Sequence, residues 1–232
     1  MSLRNIFLHK CCFYAAVLLA SVFMLRPLTA GSAGIPSAKL RGDNADKRAG
    51  KFFEFGCYPQ ELNGDVKPII WRVLKREKDC MLVIALRGLD CKPYHNKYCA
   101  VTWADCSLRR WLNGEFYYKA FNEQERRVIL PSIIRSGSGP ATEDRVFLLS
   151  IDEVNSLFAG EIDRRAWPTE FAVKQHACVK NSLRGCWWWL RSNGGFVGYA
   201  ALVAPGGYVS DVGCNVDLSD FCAVRPALKI AF

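Results

Sequence analysis

Beyond residue 30 the chain has no apolar run long enough to cross a bilayer, so no membrane span is expected after the leader. Internal repeats and low-complexity tracts are missing too, which excludes solenoid and fibrous architectures. There is no continuous basic stripe. Basic residues are scattered or paired (Arg109-Arg110, Arg126-Arg127, Arg164-Arg165), so a formal net charge of +9 does not amount to a nucleic-acid footprint, and no nucleic-acid partner is expected. Histidine is scarce, at three residues. His176, Cys178 and Cys186 lack a fourth ligand at a zinc spacing, and no metal or cofactor is expected. His176 and Cys178 sit two residues apart in a helical stretch, where side chains point to different faces, so they make no nucleophile–base pair.

What is present starts with an address. Arg4 and Lys10 precede an apolar run from Cys11 to Leu25, followed by small residues around Ala30, the three-part form of a secretory signal over residues 1–30. Export to the periplasm, cell surface or medium follows as an expectation. Cleavage there removes three basic residues and leaves 28 against 22 acidic ones, a mildly basic chain. Residues 31–49 are small, polar and charged, and read as a flexible leader. Residues 50–232 then form one globular domain, since a chain of this size with half its residues hydrophobic can bury one good core.

Export makes disulfides the default for the nine cysteines outside the signal. Cys91 and Cys99, Cys178 and Cys186, and Cys214 and Cys222 share one spacing, and each pair can bridge only if the chain turns between its members. Cys57, Cys80 and Cys106 are left over.

Taken in order, Phe52 to Tyr58, Pro68 to Leu74 and Met81 to Leu86 read as strands, the last two as a hairpin. The period then changes. Thr102-Trp103-Ala104-Asp105 resembles a capping box for a helix through Leu108, Trp111 and Leu112, stopped by Asn113-Gly114. Asn122 to Glu125 starts a second helix, Arg145 to Ser150 reads as a strand, Ser150 to Glu153 opens a third helix, and Pro168-Thr169 a fourth. The closing third returns to strands: the Trp187-Trp188-Trp189 run, then Tyr199 to Ala204 and Tyr208 to Val212 around Pro205-Gly206-Gly207, then an alternating strand from Val224 to Phe232. In that last strand Arg225 and Lys229 face away from Val224, Leu228 and Ile230, and Pro226 implies an edge or a bulge. Strands, then helices, then strands predict an α+β domain with antiparallel sheets and short helices in the middle of the chain.

Several stretches together resemble a known family. F-G-C-Y-P-Q, P-I-I-W-R-V-L, L-D-C-K-P-Y, V-T-W-x-x-C-x-L-R-R-W-L-N-G-E-F-Y, A-F-N-E-Q-E, E-D-R-V-F-L-L-S-I-D-E-V, W-W-L-R-S and V-R-P-A-L are similar, in order, to the blocks of an exported or surface-associated bacterial family, domain of unknown function 6273. The closing portion, W-L-R-S, a glycine hairpin and V-R-P, also resembles the end of the C-type-lectin-like fold of sulfatase-modifying enzymes. Asn193-Gly194 departs from the family's usual proline-glycine, and Cys178, Cys186, Cys214 and Cys222 look like additions. Signatures of calcium-dependent sugar binding (W-N-D, E-P-N) are absent.

No motif fixes a reaction. The leading expectation is an exported non-enzymatic binding or structural domain, with a protein or carbohydrate ligand met by the glycine-rich loops of residues 191–221. Trp188, Arg191, Tyr199 and Tyr208 are the candidate contacts, as aromatic platforms flanked by a cation. The alternative is thiol chemistry of the formylglycine-generating kind on a C-type-lectin-like scaffold, for which Cys214 and Cys222 would have to be reactive.

Overall fold

The computed structural model describes residues 52–137, 139–183 and 185–231. The signal and the leader expected over residues 1–49 lie outside the described residues, as does Phe232, expected as the last residue of the closing strand.

The first three strands are β1 (Phe52–Pro59), β2 (Val66–Arg76) and β3 (Cys80–Ala85), with a two-residue β4 (Asp90–Cys91) after them. Helices α1 (Ser107–Trp111), α2 (Tyr117–Ala120) and α3 (Glu123–Val128) lead to short strands β5 (Ile129–Leu130), β6 (Ser132–Ile134) and β7 (Thr142–Asp144). Helices α4 (Ile151–Leu157), α5 (Glu161–Arg164) and α6 (Glu170–Lys174) follow. The closing strands are β8 (Val179–Lys180), β9 (Gly185–Cys186), β10 (Trp188–Asn193), β11 (Tyr199–Val203), β12 (Val209–Asn215), β13 (Ala223–Val224) and β14 (Ala227–Ala231).

Two five-stranded sheets carry the architecture, in the orders β1-β2-β3-β14-β5 and β12-β11-β10-β13-β4. Pairing is antiparallel throughout except between β10 and β13. The fold is therefore α+β, with antiparallel sheets and short helices, and its buried apolar residues form one core cluster that draws on both sheets and on the helices. β3 explains the uninterrupted apolar run at Met81: it lies between β2 and β14, and Leu82 to Ala85 are all buried.

The tail crosses from one sheet to the other. Val224 ends β13 in the second sheet, Arg225-Pro226 makes the crossing, and β14 enters the first sheet between β3 and β5. Two expectations are corrected here. β14 is a central strand and not an edge, because Pro226 stands before it and costs the ladder no donor. Arg225 is buried, because the crossing turns its side chain inward instead of continuing the alternation.

Three helix and strand expectations also change. Thr102 and Asp105 form a turn closed by Thr102 Oγ1 donating to Asp105 Oδ2 (3.2 Å), while α1 begins later, capped by Cys106 Sγ accepting the Arg109 N–H (3.3 Å). Asn113-Gly114 does not stop the helix; the chain widens into a π turn over Leu112–Phe116 and runs on into α2. Asn113 is held there by donating to Arg109 O and Val146 O and by accepting from the Arg145 and Val146 N–H groups. Val146 to Leu149 are buried, yet among the described residues the run from Arg145 to Ser150 makes only one bridge, Phe147 with Ala227. Side chains take the place of the ladder: Asn113 serves Val146, Arg191 serves Leu148 O, and Glu153 serves the Ser150 N–H. The helix starts at Asn122 and Ser150 are as expected, each with a reciprocal capping box.

Candidate functional site

The strand that carries the tryptophans is clamped at its end. Arg191 donates to both oxygens of Glu153, through Nη2 at 2.9 Å and through Nη1, and also to Leu148 O (2.8 Å) and Arg135 O (3.3 Å). Glu153 is at the same time the capping-box residue of α4, accepting the Ser150 N–H (2.9 Å). Ser192 Oγ accepts the Ile151 N–H (3.0 Å), so two consecutive residues of β10 are fastened to the N-terminus of α4. The Arg191 carbonyl accepts from Tyr94 OH (3.0 Å) and Ser136 Oγ (2.8 Å). This clamp fixes where the chain leaves the sheet, and the glycine loop starts at the next residues.

Asn193-Gly194-Gly195-Phe196-Val197-Gly198-Tyr199 forms that loop. Gly194 N–H donates to Tyr199 O (2.8 Å), Tyr199 N–H to Phe196 O (3.1 Å), Gly195 N–H to Val212 O (3.0 Å) and Val216 N–H to Gly198 O (2.9 Å). Gly198 is required at its position: its φ is +77°, and a Cβ there would lie 2.8 Å from the Tyr98 ring. Tyr98 OH donates to Val197 O (3.1 Å), tying the loop to the opposite segment. That opposite wall is anchored below by Trp103, whose indole N–H donates to the buried Asp144 (2.8 Å), itself paired with Arg109 at 2.7 Å.

Between the two walls lies a cleft of about 410 Å³, lined by Ala100 to Thr102 and Asp105 on one side and by the loop from Asn193 to Tyr199 on the other. Phe196 is 64% exposed and packs edge-on against Tyr199, ring centroids 5.4 Å apart. Val197 and Tyr98 are exposed beside it. Among the described residues Asp105 is the one charged residue of the lining. Apolar faces, one carboxylate, an amide and the hydroxyls of Thr102 and Tyr199 suit this cleft to binding, and its described lining contains no cysteine, histidine or lysine.

Of the four contacts expected from the sequence, Tyr199 lines this cleft and the other three do not. Trp188 is 0% exposed, because β10 has a neighbour on each side and its sheet is covered on both faces there; Trp189 is buried as well. Trp187, half-buried, stacks on Phe221 at 4.6 Å. Arg191 is buried in its clamp. Tyr208 is exposed, but at the far end of the β11–β12 hairpin, where Gly207 (φ +93°) lies against Glu161 O. Sequence reasoning missed Phe196, Asn193 and Asp105. Phe196 carries a signal in retrospect: an aromatic between glycines, outside any strand, has no ladder to bury it.

A second buried arginine sits at the sheet crossing. Arg225 donates to Ala85 O (2.9 Å) and Arg164 O (3.2 Å) and lies over the Trp188 ring at 4.9 Å and near the Phe158 ring at 5.7 Å. Burial pulls its pKa down to about 10. Beside it, Arg72 donates to both oxygens of Asp163 (2.7 and 2.9 Å) and so holds that carboxyl below its usual range.

The cysteines regroup. Cys91 is buried with its thiol on Ser219 O (3.6 Å), whereas Cys99 is exposed. Val179 is the register partner of Cys186, and Cys178 is the residue just before β8. The Cys222 thiol is pushed well up, first by burial and then by Cys214, Cys91, Cys186 and Cys178 near it. Burial likewise pushes Cys91, Cys106 and Cys186 up to about 12 and raises Cys214. A thiol so raised is a poor nucleophile at neutral pH, which weighs against reactive chemistry at Cys214 and Cys222. The described residues hold no S–S bond, and among them no group of three or more His, Cys, Asp or Glu could hold a metal.

No curated protein and no solved structure matches the chain. Residues 78–232, well over half of the sequence, match the model of the family described as Domain of unknown function (DUF6273), and the chain belongs to that family.

Proposed function

We propose that this is an exported, non-enzymatic binding domain whose recognition surface is the cleft between Ala100–Asp105 and the Asn193–Tyr199 loop. The observation that carries the reading is the pairing of a rigidly held loop with exposed rings: Arg191 and Ser192 fix its entry, Tyr98 and Val212 fix its middle, and Phe196 stays in solvent. Large apolar side chains fixed in an exposed position around a concavity mark interaction sites. The export half of the reading is supported by residues 1–30 alone. A kinship with the C-type-lectin-like fold belongs to the same proposal. It is supported by W-L-R-S lying on β10, the glycine hairpin forming β11 and β12, and V-R-P spanning the crossing from β13 to β14.

The test is a screen of the full-length chain on glycan and peptide arrays, repeated with the double variant Asp105→Ala/Phe196→Ala and with Tyr208→Ala. Saturable binding by wild type and Tyr208→Ala, lost in the double variant, is the expected result. Equal signals from wild type and the double variant would put recognition elsewhere.

A further inference from the structure

We infer that the cleft takes a neutral saccharide ring, stacked on Phe196 beside Tyr199 and hydrogen-bonded by Asp105, Asn193 and Thr102. This rests on the binding reading above and deepens it by naming the ligand class.

The chemistry of the walls narrows the choice. Among the described residues of the lining there is no Lys, Arg or His, so a phosphate, sulfate or uronate would enter without a counter-charge there and against the Asp105 carboxylate. A basic polymer would find that carboxylate, yet must approach a chain that keeps 28 basic against 22 acidic residues once the signal is removed, whose net field repels it. A neutral ligand meets neither obstacle.

It must also satisfy two kinds of surface at once. The cleft offers aromatic and aliphatic faces, from Phe196, Tyr199 and Val197 on the loop and from Val101 on the facing wall. The other groups are hydrogen-bonding ones. Asp105 is an acceptor oriented by the Thr102 hydroxyl (3.2 Å), and Asn193 offers both a donor and an acceptor. A pyranose has this duality: a face of C–H groups that stacks on a ring, and a rim of hydroxyls that each donate and accept. A purely apolar ligand would leave the carboxylate and amide unpaired, at a cost to affinity. The volume of about 410 Å³ is in the range of small-molecule sites, and the cleft is open to solvent, so a sugar at the end or in the middle of a longer glycan can enter.

The experiment is a titration of the isotope-labelled full-length chain followed by amide shifts and saturation-transfer NMR. The probes are cellobiose, maltose and N,N′-diacetylchitobiose, run in parallel with a neutral and a lysine-containing tetrapeptide. At least one saccharide is expected to move amides of residues 101–105 and 193–199, with transfer strongest to its ring C–H face. Its apparent Kd should rise at least tenfold in Phe196→Ala and in Asp105→Asn, whose side chains are exposed, and stay unchanged in Tyr208→Ala. If a peptide moves those amides and no saccharide does, the sugar inference fails and the binding reading stands. If no probe moves them, both fail. Saccharide binding indifferent to Phe196→Ala and Asp105→Asn also overturns the inference, since it would lie outside the cleft.

Discussion

Trp188–Arg191 and Asn193–Tyr199 are neighbours in the chain, both carry aromatic residues, and they meet opposite fates. In the first, two indoles and a guanidinium are buried; in the second, Phe196 stands in solvent and Tyr199 is half-covered. Residue type does not separate them. Position does: β10 lies between β11 and β13, so it has no edge, whereas Gly194 to Gly198 have left the sheet and are held by backbone bonds that leave Phe196 and Val197 outside. An aromatic cluster in a central strand is scaffold, and the surface is found where the ladder stops.

Stability measurements break this contrast most strongly if it is wrong. Trp188→Ala removes a fully buried indole over which Arg225 lies, and should cost about 3–5 kcal/mol in urea denaturation. Phe196→Ala should stay within about 0.5 kcal/mol of wild type. Comparable losses in the two would erase the distinction. Trp188→Phe sharpens it: the indole N–H is buried without an acceptor, so this change should cost much less than the change to alanine.

The clamp comes next. Arg191→Ala leaves Glu153 with only its capping role and strips donors from Leu148 O and Arg135 O, a loss of about 2–4 kcal/mol. It should also broaden the amide signals of residues 193–199, which a variant that merely destabilises the distant core would leave sharp.

Much of this scaffold is legible in the sequence, and the limits are physical. The helix starts at Asn122 and Ser150 are local chemistry, and the structure has both, each closed by a capping box. The hairpin around Pro205-Gly206-Gly207 is equally local. The strand expected at Arg145 to Ser150 has the right residues, but whether such a run makes a ladder depends on which groups arrive from elsewhere, here Asn113 and Arg191. Arg225 defeats alternation for the same reason: its burial depends on a change of sheet that no local pattern announces. At the site, Tyr199 was within reach of sequence reasoning, while Asp105 comes from a segment far away in the chain that only the fold brings opposite the loop.

Two carboxyls give a smaller contrast, of opposite sign. Arg72 lowers the Asp163 pKa through its hydrogen bonds, so the native state holds that proton less tightly than the unfolded chain, and the stability it contributes is lost as pH falls through the depressed folded pKa. Burial raises the Asp90 pKa despite the Tyr58 hydroxyl donating to it at 2.7 Å. The native state then holds that proton more tightly, and stability declines as pH rises from the ordinary carboxylate range through the raised value. Asp163→Asn should flatten the acid limb of a stability–pH curve, and Asp90→Asn should remove the opposing slope. Slopes unchanged in both variants would contradict these assignments.

The smallest effect leaves stability untouched. In reduced protein an aromatic disulfide reagent should label the exposed Cys57 and Cys99 in the native state, and the buried Cys186 and Cys222 only after denaturation.

Hydroxyl-radical footprinting of the native full-length chain addresses the division between hidden strand and displayed loop most directly. Rapid oxidation of Phe196 with Trp188 and Trp189 protected is the predicted pattern. Oxidation of Trp188 at a rate matching Phe196, before the chain unfolds, would contradict it.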